Sequence, residues 1–245
     1  MVVKEYGKSN KDTIILLHGG GLSWWNYEEV SKLLESEYHI ILPILDGHSS
    51  SDKDFTTIED NANEIIKYID DNYKGHVKLI GGLSLGGQIL LDILLKRDNI
   101  CEYAIIESAL IYPMKITNKF IAPSVRMSYG FISKKWFSKL QFNNLKIKKS
   151  LFDKYYNDSS KISKSNMIAI LKSNANYYKD NLNNIKTKSL VLVGSKERSI
   201  MIKSAKKIHK ELINSELEIL NGYYHGDLSI NHADEYVSKI KKLLK

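Results

Sequence analysis

Between Val77 and Gln88 the chain reads Val-Lys-Leu-Ile-Gly-Gly-Leu-Ser-Leu-Gly-Gly-Gln, which sets one hydroxyl in a Gly82-x-Ser84-x-Gly86 pattern. A serine hydroxyl becomes a nucleophile when the backbone holds it clear of the chain and a base takes its proton. The flanks predict such a backbone. Val77, Leu79 and Ile80 are β-prone and apolar, as a strand buried on both faces requires, and Gln88 to Lys96 repeats apolar residues at helical spacing. A glycine on each side lets neighbouring backbone close on a tight turn without meeting a Cβ, leaving Ser84 on a strained elbow with Oγ above the sheet edge. A bare pattern of this kind arises by chance in roughly one such chain in ten, so its weight comes from the strand before it and the helix after it. The plain alternative is a Gly-rich turn whose serine caps the helix.

Such a serine needs a sheet to stand on. Val2–Tyr6 predicts a short edge strand, Lys8–Asp12 a turn, and Thr13–Leu17, a continuous apolar run, a buried parallel strand. Trp24–Glu37 predicts an amphipathic helix with Tyr27, Val30, Leu33 and Leu34 on its apolar side, and Tyr38–Leu42 the next strand. Thr57–Tyr73 predicts a helix begun by Thr56 or Thr57 with Glu59 or Asp60 in a capping arrangement. Tyr103–Ile106, Ser189–Val193 and Leu217–Leu220 read as strands, Ile202–Leu212 and His232–Leu244 as helices. This alternation implies an α/β fold, a mostly parallel central sheet with helices on both faces. From about Tyr112 to Asn174 the alternation stops, in a stretch that holds two of the three prolines and many aromatics, Phe120, Phe131, Trp136 and Tyr155 among them. The expected organisation is a core of residues 1–111 and 175–245 interrupted by an insertion, 112–174.

The 245 residues suit one such core, and 43% apolar with 26% charged content excludes a wholly disordered chain. No apolar run approaches membrane-spanning length and none at the N-terminus resembles a secretion signal, so a cytoplasmic protein without stable membrane insertion is expected. Cys101 is the only cysteine and reads as a buried side chain. Of the net charge of +8, the stretch Lys115–Lys172 holds 13 basic and two acidic residues, a local +11. A solvated Lys-rich face is the simpler reading; an anionic substrate or a transient membrane surface is the functional one. No nucleic-acid motif accompanies the charge, so no nucleic-acid partner is expected.

The Gly-x-Ser-x-Gly pattern resembles the nucleophile elbow of α/β-hydrolases, and three further segments extend the likeness over nearly the whole chain outside 112–174. His18-Gly19-Gly20-Gly21, after the first buried strand, is similar to the family's oxyanion loop, which implies Gly20 N–H as one donor and Leu85 N–H as the other. Asp46-Gly47-His48-Ser49-Ser50-Ser51 resembles a loop with Gly where Ser49 stands, which implies a structural His48. Gly194-x-x-Glu197 resembles the turn that carries the triad acid, with Glu in place of Asp. The loop Asn221 to Asp227 lies where the family has its catalytic histidine, which implies His225. Glu107, at a strand end, is the second choice for the acid and Asp227 the third. His18 reads as structural, and His39, His76, His209 and His232 as surface or helix-end residues. The insertion corresponds to the family's helical cap.

The resemblance implies a serine hydrolase of a carboxylic ester or related acyl bond, carboxylesterase-like, with Ser84 as nucleophile, His225 as base and Glu197 as orienting acid. It implies no metal and no organic cofactor. The expected partner is a small acyl substrate, anionic or amphipathic if the basic stretch serves it, and the expected assembly a monomer or homodimer. Other chemistry on the fold (carbon–carbon hydrolysis, lactone or thioester cleavage, a lyase) and a non-catalytic ligand receptor remain alternatives.

Overall fold

The computed structural model describes residues 1–245. The apolar runs form strands: Val3–Tyr6 (β1), Thr13–Leu17 (β2), His39–Pro43 (β3), Val77–Leu83 (β4), Cys101–Glu107 (β5), Lys188–Gly194 (β6) and Ser215–Leu220 (β7). They make one seven-stranded sheet in the order β1-β3-β2-β4-β5-β6-β7. β1 runs antiparallel to β3, and every other pairing is parallel. The helices are Glu28–Leu34 (α1), Ile58–Tyr73 (α2), Leu85–Lys96 (α3), Lys115–Ser128 (α4), Lys135–Asn144 (α5), Phe152–Ser159 (α6), Lys164–Asn176 (α7), Ser199–Glu211 (α8), Asp227–Asn231 (α9) and Ala233–Leu243 (α10).

Strand side chains alternate between two cores because the pleat has a period of two. Ile15, Leu17, Ile80, Ile106 and Val193 pack under α2, α3 and α8. Ile14, Leu16, Leu79, Ile105 and Leu192 face the other way, against α1 and α10. Burial on both sides explains why these strands are apolar runs and not alternating ones. The capping arrangement at α2 is met by Thr57, whose Oγ1 accepts from the Asp60 amide at 2.9 Å and donates to its carboxylate at 2.8 Å.

Two local expectations fail for physical reasons, and one helix was not expected. Trp24–Glu37 is a 3-10 turn, Trp24–Tyr27, followed by the seven-residue α1. Trp25, Asn26 and Tyr27 are all buried, and three successive inward side chains exceed what one helix face can turn to a core. His39 is a buried strand residue whose Nε2 lies 3.0 Å from Glu5, not a surface one. α9 went unforeseen because five residues are too few for a periodic signal.

The chain leaves β2 for β3 on one side and returns to β4 on the other, so the strand order reverses between β2 and β4. Open α/β sheets bind ligands at the carboxyl ends of strands beside such a switch. Here the switch is closed tightly: a Cβ on Gly86 would stand 2.2 Å from the Leu17 carbonyl oxygen, and one on Gly82 2.4 Å from that of Gly86. Gly86→Ala is therefore expected to lose at least about 2 kcal/mol of stability, read from urea unfolding, because backbone and not a flexible side chain occupies the space.

Candidate active site

Ser84 sits where β4 turns into α3, with φ 53° and ψ −109°. The left-handed φ is held by its amide, which donates to the Glu107 carbonyl at 2.8 Å, and by its carbonyl, which accepts from Gln88 at 3.0 Å. The hydroxyl makes no cap to α3, so the plain reading of a helix-capping serine does not describe it. Strain of this kind at a non-glycine residue costs about 1–3 kcal/mol and persists only where the surroundings over-determine it.

Across the switch point, the loop after β2 is braced by two histidines. His18 Nε2 accepts from the Leu45 amide at 3.1 Å, which fixes the proton on Nδ1, facing the Gly19 carbonyl at 2.9 Å. His48 Nε2 accepts from the Gly21 amide at 3.0 Å while its Nδ1 faces the Leu45 and Asp46 carbonyls. Burial pushes both imidazoles down, His48 to about 4 and His18 well below its usual range, so both rings are neutral. Both are structural, as expected. The amides of Gly19 and Gly21 are thus occupied, Gly19 by Asn26 Oδ1 at 3.3 Å, whereas the Gly20 amide has no partner in the protein. Leu85 opens α3, where N–H groups lack helical acceptors. The two residues are neighbours: a Cβ on Gly20 would lie 3.7 Å from that of Leu85.

His225 arrives from the far side of the sheet. The turn after β6 and the loop after β7 are stitched together by Ser195 N to the Leu220 carbonyl (2.9 Å), Lys196 N to the Tyr223 carbonyl (3.0 Å) and Gly222 N to Ser195 Oγ (2.9 Å). A Cβ on Gly194 would stand 2.2 Å from the Tyr223 oxygen, so the segments touch through bare backbone. This brings His225 Nδ1 to 2.7 Å from Glu197 Oε2. The other carboxylate oxygen accepts from Gly194 N at 2.8 Å and Ser108 Oγ at 2.7 Å. Ser108, buried and at φ 53°, was not legible beforehand, since a lone serine after a strand carries no pattern.

Burial acts to raise the Glu197 carboxyl, but the His225 hydrogen bond and charge, with Ser108 and Gly194, hold it below its ordinary value. Partial desolvation acts to lower His225, whose side chain stays 45% exposed, and its hydrogen bond to Glu197 and the negative charge there outweigh this and raise it. Glu107 is different. Its Oε1 accepts a long 3.4 Å bond from Ser229 N, its Oε2 has no partner, and burial drives it up to about 7. It makes no bond to His225. Asp227 bonds Asn231 and the Tyr224 amide, at the start of α9.

Ser84 and His225 line one cavity of about 300 Å³ with Gly20 and Leu85. Its other walls come from β4 and its surroundings and from the segment of α5 to α7, including Leu145, Ile147, Met167, Ile170 and Leu171. His225 is the only ionisable cation among its lining residues; no Lys, Arg, Asp or Glu contributes, and Tyr155 is the sole aromatic. The basic residues of 115–172 therefore stay outside it.

The family described as serine aminopeptidase, S33 (Hydrolase_4) matches residues 8–229. The chain belongs to this α/β-hydrolase family. Among solved structures, an esterase from Exiguobacterium antarcticum superposes with a TM-score of 0.82 at 19% identity, covering 99% of this chain and 94% of that one. A thermophilic esterase from Thermogutta terrifontis gives 0.79 at 17% identity, covering 100% and 94%. MenH from S. aureus gives 0.78 at 16% identity, covering 99% and 97%. At these identities the likeness is one of fold. No curated protein matches the chain. No helix is long and apolar enough to cross a membrane.

Two titrations follow from this geometry. His225 is expected to titrate above 6.5 by imidazole NMR, and lower than in the parent in Glu197→Gln, where the carboxylate charge is gone. Glu107 carries a folded value raised from 4.5 to about 7, so the folded state binds the extra proton and stability falls as pH rises through that window. Urea titrations should show Glu107→Gln matching the parent below pH 4.5 and exceeding it by on the order of 3 kcal/mol above pH 7.

Proposed function

We propose that the chain is a serine hydrolase that cleaves a carboxylic ester of a neutral, mainly aliphatic acyl group, with residues 112–174 as a cap over the cavity. The observation that carries the reading is a strained, uncapped Ser84 sharing an uncharged cavity with His225, whose Nδ1 is fixed on a buried carboxylate. In this reading Ser84 Oγ attacks the acyl carbon and its proton passes to His225 Nε2, the ring nitrogen left free by Glu197. The carbonyl oxygen becomes an oxyanion before the Gly20 and Leu85 amides. Collapse expels the alcohol with the proton from His225, and water, activated by the same histidine, releases the acid. Each oxyanion donor is worth about 3 kcal/mol in related chemistry. Glu197 keeps the proton on Nδ1 and offsets the imidazolium charge, and Ser108 holds Glu197 in place.

The lack of charged side chains in the cavity argues against an anionic acyl group, since an ion leaving water there would meet no counter-charge but the histidine. A carboxylate-bearing acyl group is therefore disfavoured, and the basic stretch serves something other than the reacting end.

Fluorophosphonate is expected to label Ser84 stoichiometrically, and Ser84→Ala or His225→Ala to abolish labelling. Absence of labelling in the parent would favour a ligand-binding protein on this fold. Against p-nitrophenyl esters, the parent should prefer neutral aliphatic acyl groups over hemisuccinate-type ones, with kcat/KM rising with pH through an apparent value above 6.5 as His225 loses its proton. Glu197→Ala should cut turnover far more than Glu107→Ala; equal losses would shift the orienting role.

A further inference from the structure

α4 packs on one side only. Successive helical residues turn 100°, so Val125, its one buried residue, lies opposite Ile116, nine positions earlier. Ile116, Phe120 and Met127 form a stripe on that outward side, 76%, 64% and 80% exposed. Lys115, Lys119 and Arg126 run along its edge, and none joins an ion pair; within 112–174 only Lys135, Lys148 and Lys154 do. α5 repeats the arrangement with Trp136 and Leu140, 62% and 55% exposed and one turn apart, beside Lys135 and Lys139. Phe131, between the helices, meets Trp136 at a tilted 57° with ring centroids 6.0 Å apart.

Large apolar side chains exposed in a row cost solvation free energy unless something covers them. Three facts identify the cover. From Ser108 to Phe152 there is no acidic residue, so the face is strongly cationic, and Asp153, 3.8 Å from Lys135, is the one carboxylate ion-paired to these two helices. The stretch 115–172 carries +11 and the rest of the chain −3, so the molecule is polarised toward this side. Two such faces repel, which disfavours a second copy as the occupant. Exposed Phe, Trp, Leu and Met flanked by lysines, a side chain able to lay its stem along apolar surface while its ammonium group reaches outward, is the composition of a helix lying in a lipid interface.

We propose that the outer face of α4 and α5 docks reversibly on an anionic lipid surface, with Ile116, Phe120, Met127, Trp136 and Leu140 entering the interface and the flanking Lys and Arg facing lipid phosphates. Peripheral docking of this kind needs no spanning helix. α4 packs against α7, which contributes Met167, Ile170 and Leu171 to the cavity wall, so docking places the cavity beside the lipid. Leu145 and Leu171, both cavity-lining, are themselves more than two-fifths exposed, at 42% and 43%.

The test is co-sedimentation of the full chain with phosphatidylcholine vesicles, alone or containing phosphatidylglycerol, at low and high salt. Binding is expected to the anionic vesicles only, and to weaken with salt. Lys119→Gln with Arg126→Gln should weaken it about 25-fold, fivefold per charge. Phe120→Ser with Met127→Ser should weaken it about tenfold or more, with hydrolysis of a soluble ester and the circular dichroism spectrum unchanged. Ser84→Ala should bind as the parent does, so the result stands apart from the catalytic reading. Failure to bind phosphatidylglycerol vesicles, equal binding to neutral ones, unaltered binding by both double variants, or a dimer that Phe120→Ser dissolves would each overturn the proposal.

Discussion

The contact on which the site depends is between backbones: the first turn of α3 pressed onto the end of β2. With no Cβ at Gly86, the helix reaches the Leu17 carbonyl, and with none at Gly82 the strand passes under the same turn. A chain that must end a buried strand and begin a helix within one residue has few conformations left, and Ser84 takes the left-handed one. The same contact sets the loop after β2 beside the helix start, so that Gly20 and Leu85 become neighbours. One steric condition thus positions Ser84 and the first turn of α3 against that loop.

A second backbone contact, Gly194 against Tyr223, does the corresponding work for the histidine. It also sets how Glu197 reaches His225. The side chain folds back so that its own turn's Gly194 amide and Ser108 hold Oε1, leaving Oε2 for His225. Three donors on one buried carboxylate keep it ionised, while Glu107, a short distance along the same sheet edge with one long bond, is pushed to about 7. Two carboxylates with different hydrogen-bond supply are thus held at different values in one region, Glu197 below its ordinary range and Glu107 above it.

How much of this was legible follows from where the information lies. The strands at Thr13–Leu17, Ser189–Val193 and the α3 helix were readable because burial on both sheet faces imposes apolar runs that no loop sustains. That Ser84, Gly20, Glu197 and His225 gather at the strand ends was readable because each sits in a short local pattern there. Ser108, Asn26 and the His18–His48 brace were not, because their roles arise from contacts between segments far apart in sequence. The same limit applied to Trp24–Tyr27, where apolar spacing suggested a helix face and three-sided burial decided otherwise. His39, buried against Glu5 of the neighbouring edge strand, shows that a polar residue in a strand need not mark its exposed end.

The charge distribution completes the argument by separating two surfaces that composition alone runs together. A net +8 concentrated in 115–172 invites an anionic substrate, yet none of those cations reaches the cavity. A lysine turned inward among Leu, Ile and Met would give up its hydration for little return, so the helices between β5 and β6 present apolar faces inward and cationic ones outward. On α4 the outward face is apolar too, and α7 beneath it supplies the cavity wall. On the readings proposed above, charge on this chain governs where the molecule settles, and the cavity, without Lys, Arg, Asp or Glu, governs what it accepts once there. An acyl compound poorly soluble in water and held at an anionic lipid surface is the substrate those two proposals together imply, which neither the basic stretch nor the cavity would imply separately.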